Sequence, residues 1–70
     1  MLTVTVRVAK HLYCSLDRAI EIRKYIDSRT QESWGTLLDE DFDALLKSMM
    51  PTEEELTEFL LANNLPRYSR

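Results

Sequence analysis

His11 and Cys14 are the only histidine and the only cysteine in the chain. They stand three residues apart, close enough for an imidazole to assist a thiolate nucleophile. That chemistry needs a third group to orient the base, and a zinc site needs about three protein ligands. One His and one Cys supply neither. Cys14 is therefore read as a small buried hydrophobe and His11 as a structural side chain near the end of a strand. The remaining candidates are carboxylates. Asp39, Glu40, Asp41 and Asp43 do not make a calcium loop, which needs alternating acids around a central glycine. On a helix they spread around the axis instead of converging. A phosphate-cradling loop is excluded because Gly35 is the single glycine. The residue types thus point away from an enzyme, with no cofactor and no metal expected, and leave two readings of the acids: a solvated face, as charge runs usually are, or an electrostatic docking surface for a basic protein partner. Asp39, Glu40 and Asp43, joined by Glu54 and Glu58, are the candidate partner-binding residues.

The elements that would carry these residues are set by periodicity. Val4, Val6 and Val8 alternate with Thr3, Thr5 and Arg7, the period-two pattern of a half-buried strand over about 2–8. No second alternating run follows. Such a strand must find its backbone partners in another copy of itself or in another protein's sheet edge, so a homodimer through strand 2–8 is expected. Ser15 is an N-cap with Asp17 in the first turn behind it. The helix it opens, about 15–27, has Leu12, Leu16, Ala19 and Ile26 along one face, and Arg23 points into that face. The second helix runs from either Gln31 or Thr36 to Met50, with Leu38, Phe42, Leu45 and Met49 at i, i+4, i+7 and i+11. Pro51 ends it. Thr52 and Glu55 form a capping box for a third helix, about 53–63, with Leu56, Phe59 and Leu60 as its apolar stripe. The fold class is α+β and mostly helical: one domain over 1–64 and a loose tail over 65–70.

Composition narrows the partners. The 70 residues carry a net charge of −3 and are 44% hydrophobic. This is a globular composition, but the chain is short enough that a dimer or partner is expected to supplement a small core. Residues 1–29 hold six basic and three acidic side chains, a net +3, and residues 30–70 hold three basic and nine acidic ones, a net −6. A lone cysteine and the lack of a signal-peptide pattern suggest a reducing cytoplasmic setting. The uncharged stretches fall far short of the ~20 residues that a membrane helix needs.

A strand reading Thr-Val-Arg-Val before two amphipathic helices resembles the ribbon-helix-helix family of DNA-binding regulators and antitoxins. The resemblance covers roughly residues 3–50. It implies a dimeric ribbon in the major groove, with Thr3, Thr5 and Arg7 reading bases and Val4, Val6 and Val8 facing the dimer core. Glu32, at the start of the second helix, would oppose the phosphate contact that the family makes there, and the acidic chain weakens counterion-release binding. A small regulatory protein that binds another protein through acidic helices is thus the first reading. A ribbon-helix-helix regulator or antitoxin is the alternative.

Overall fold

The computed structural model describes residues 3–31 and 33–65. They form four α-helices: α1 (Thr3–Leu12), α2 (Leu16–Arg29), α3 (Asp39–Met49) and α4 (Glu53–Ala62), with one 3₁₀ turn, Trp34–Thr36, ahead of α3. No strand occurs among the described residues.

The α+β expectation is overturned at its single strand, which is a helix. The valine alternation also contains a helical face, because Val4, Val8 and Leu12 recur every fourth residue. Val8 is fully buried, and Val4, Ala9 and Leu12 pack against the same core. Thr5, expected to face outward, is 1% exposed. The alternation holds no information about a pairing partner, and no strand among the described residues supplies one. A helix satisfies its own backbone groups, and its apolar stripe packs onto α2. Strand-forming side chains therefore sit in a helix because tertiary context outweighs a modest intrinsic preference. The backbone argument for a dimer through residues 2–8 goes with the strand, as does the ribbon on which the family resemblance rests.

The other helices follow their local signals. Ser15 Oγ accepts from the Arg18 N–H at 3.2 Å and opens α2. That helix runs two residues past the expected Asp27 and closes where the Thr30 N–H reaches Ile26 O at 3.0 Å. The next helix starts at neither Gln31 nor Thr36. Leu37 and Leu38 are extended, and α3 begins only at Asp39, so Asp39, Glu40 and Asp41 occupy its positive end. Leu38, expected on the core stripe, is 76% exposed. The buried positions of α3 are Phe42 and Leu46. In α4 the capping box is complete: the Glu55 N–H donates to Thr52 Oγ1 at 3.1 Å, and the Thr52 N–H donates to Glu55 Oε1 at 2.9 Å. Leu65, placed by expectation in the tail, instead donates its N–H to Leu60 O at 2.9 Å and packs against the core. The remaining tail residues, 66–70, lie outside the described residues, as does Glu32.

The core gathers Val8, Ala19, Ile22, Tyr25, Ile26, Trp34, Phe42, Leu46, Leu56 and Leu60 into one cluster. Trp34 stacks on Phe42 with centroids 5.3 Å apart, and Tyr25 meets Phe59 edge-on at 5.5 Å. Gly35 is where α1 presses on the 3₁₀ turn. A Cβ at that position would overlap Val4 Cγ2, and valine is stiff about χ1.

Two stability outcomes follow. Gly35→Ala lowers stability by about 1–3 kcal/mol through overpacking. Adding Val4→Ala recovers part of that loss in a double-mutant cycle read by thermal melts; strict additivity would contradict the contact. The hydrogen bond from the Thr52 backbone, and then that with its side chain, hold the Glu55 carboxyl below its usual value. A folded value below the unfolded one gives a contribution that is complete above the ordinary glutamate range and lost as pH falls through the lowered value. The gap in melting temperature between wild type and Glu55→Gln is therefore expected to be widest near neutral pH and to close in acid.

Candidate functional site: the acidic surfaces

The carboxylates singled out from the sequence divide into two groups with different surroundings. On α3, Asp39 is tied to the protein's own basic residues. Arg7 reaches from α1 across the entry to α3. Its Nη1 donates to Gly35 O at 2.7 Å, and its Nη2 donates to Leu37 O at 2.9 Å and to Asp39 Oδ1 at 3.0 Å. The guanidinium carbon also lies 4.0 Å from the centroid of the Phe42 ring. Asp43 is bracketed as well, with Lys47 Nζ at 2.9 Å from one oxygen and His11 Nδ1 at 3.6 Å from the other. The hydrogen bond from Lys47 chiefly holds the Asp43 carboxyl below its usual value, and His11 adds to the effect. Glu40 is exposed on the same helix.

On α4 the arrangement is different. Glu53 meets Arg18 of α2, whereas Glu54 and Glu58 are exposed, and neither has an ion pair among the described residues. They stand one helical turn apart and, with Glu53 and Thr57, line a shallow hollow of about 300 Å³. Leu61, 73% exposed, extends that face toward the end of the helix. The sequence-predicted set is thus split: Asp39 and Asp43 are ion-paired within the fold, and Glu40, Glu54 and Glu58 are exposed without an ion pair among the described residues.

The residues of the DNA alternative do not form a reading edge. Thr5 is buried, Arg7 is held by carbonyls and a ring, and the side chain of Thr3 lies outside the described residues. The His11 imidazole faces Asp43 and rests 5.0 Å from the Phe42 ring. Burial pushes the Cys14 thiol up, against the modest opposing influence of Arg18, which disfavours a reactive thiolate. Among the described residues no group of three or more His, Cys, Asp or Glu side chains could hold a metal ion, and no helix is long and apolar enough to cross a membrane. No protein family, curated protein or solved structure matches the chain.

Sequence reading missed the role of Arg7, which depends on partners 28 to 32 residues away. No local pattern announces such contacts. It also missed the reach of Arg18 to Glu53. A charged group with two hydrogen bonds to carbonyls and a ring beneath it contributes several times what an exposed ion pair does. Arg7→Ala is accordingly expected to lower stability by about 2–3 kcal/mol, and Asp39→Ala by less than about 1 kcal/mol. Urea denaturation of the two variants checks this ordering; equal losses would mean that the surface pair, not the carbonyl contacts, does the holding.

Proposed function

We propose that this protein is a small non-enzymatic regulator, of adaptor, assembly-factor or inhibitor type, that binds a basic segment of another protein through the outer face of α4. The observation that carries the reading is the pair Glu54 and Glu58: exposed, one turn apart, without ion pairs among the described residues, and beside a hollow. Two carboxylates at this spacing match lysines or arginines spaced likewise on a partner helix. Leu61 offers an apolar contact at the end of the same face. Glu40 on α3 contributes to the acidic field, while Asp39 and Asp43 act mainly within the fold. Electrostatic complementarity of this kind favours fast association and partner choice over raw affinity. A cytoplasmic setting suits the reading, in keeping with a single cysteine.

A lysine- and leucine-rich helical peptide is the probe. Calorimetry at low salt is expected to detect binding that weakens as salt is added. The double variant Glu54→Lys, Glu58→Lys should bind at least about tenfold more weakly, a loss of about 1.4 kcal/mol. Asp39→Lys should change affinity far less. A short DNA duplex in the same cell should give no heat. Binding of the duplex, or peptide binding indifferent to the double reversal, would overturn the reading.

A further inference from the structure

The end of α1 places a large aromatic residue where a glycine is usual. The Cys14 N–H donates to Ala9 O at 3.1 Å, the long bond of a helix ending that requires a left-handed residue just before it. Tyr13 fills that position with φ 53°. The other left-handed residue among those described, Asn64 at φ 54°, closes α4 and belongs to a residue type that tolerates the conformation. Tyr13 has no such tolerance, and at 96% exposure its ring gains nothing from burial. A strained backbone that holds an aromatic ring in solvent contributes nothing to the fold that glycine would not do better.

The surroundings of the ring suggest a ligand. Tyr13 borders a hollow of about 570 Å³ whose other walls are Lys10, His11, Asp43 and Lys47. Asp43 sits between His11 Nδ1 and Lys47 Nζ and fixes both, at 3.6 and 2.9 Å. That leaves the remaining ammonium hydrogens of Lys47 for an incoming acceptor. Lys10 is exposed and has no ion pair among the described residues. Two ammonium groups against one carboxylate make the hollow locally positive on a chain of net charge −3. Every lining residue carries a polar or ionisable group. Lysines suit phosphate as point charges, and an open phenol ring suits the face of a planar base.

We propose that this hollow binds a nucleoside phosphate, with the phosphate between Lys10 and Lys47 and the base stacked on Tyr13. The site is separate from the α4 ridge and independent of its role.

Amide-resolved NMR titrations with AMP, adenosine and inorganic phosphate test the assignment. AMP is expected to bind more tightly than either fragment and to move the amides of residues 10–13 and 43–47. Tyr13→Gly should weaken AMP about tenfold or more while leaving phosphate unchanged. It should also melt above wild type, because glycine relieves the left-handed strain, so the lost affinity cannot be attributed to unfolding. Lys10→Glu should weaken AMP and phosphate alike. AMP that leaves these amides unmoved at millimolar concentration would overturn the proposal. So would equal affinities for AMP and inorganic phosphate, which would leave a bare anion site. Tighter binding of a glutamate-rich peptide than of AMP would reassign the hollow to protein docking and equally overturn it.

Discussion

Phe42 is fully buried, and three side chains from two elements converge on its ring. The guanidinium of Arg7 covers it from α1, Trp34 stacks on it from the 3₁₀ turn, and His11 tilts against it one turn further along α1. Trp34 is itself held by its indole N–H, which donates to Asp27 Oδ1 at 2.7 Å. This series of contacts joins α1, α2, α3 and the turn through Phe42 and Trp34. In a domain of this size the total margin is roughly 4–10 kcal/mol, so a junction of this kind decides whether the helices hold one arrangement. The close approach of Val4 to Gly35 and the carbonyl bonds of Arg7 are the conditions under which the ring can be covered from that side.

The opposed charges of the two halves of the chain meet within the fold. Arg7 pairs with Asp39 and Arg18 with Glu53, in both cases a basic residue from the N-terminal part with an acid from the remainder. Exposed pairs of this kind contribute little individually. Among the described residues they leave Glu54 and Glu58 on α4, and Glu40 and Asp41 on α3, exposed without an ion pair.

Much of the helical framework was legible where a local mechanism wrote it. Ser15 capped α2 and Thr52 with Glu55 capped α4 because those signals operate within a few residues. The N-terminal segment was misread because its valines satisfy two periods at once, and only the absence of a pairing strand and the presence of α2 decide between them. The late start of α3 was illegible for a related reason. Leu37 and Leu38 continue an apolar pattern, but the carbonyls of Gly35 and Leu37 are drawn to Arg7, which keeps the segment extended until Asp39. The division of the acids into engaged and open groups likewise depends on which cations lie opposite, and those come from elsewhere in the chain.

The span of the Arg7 contacts bears on the order in which the chain can fold. The α1–α2 hairpin joins neighbours across a three-residue corner and closes with little loss of chain entropy. Arg7 must wait for Gly35, Leu37 and Asp39, which lie 28 to 32 positions downstream. During synthesis the hairpin can assemble while its guanidinium still faces water, and the first half of the molecule stays unlatched until the α3 segment has emerged. The same step taken in reverse is a detachment of the turn and α3 from α1. Such an opening would expose Trp34 and Phe42 together while leaving the capped α2 helix in place.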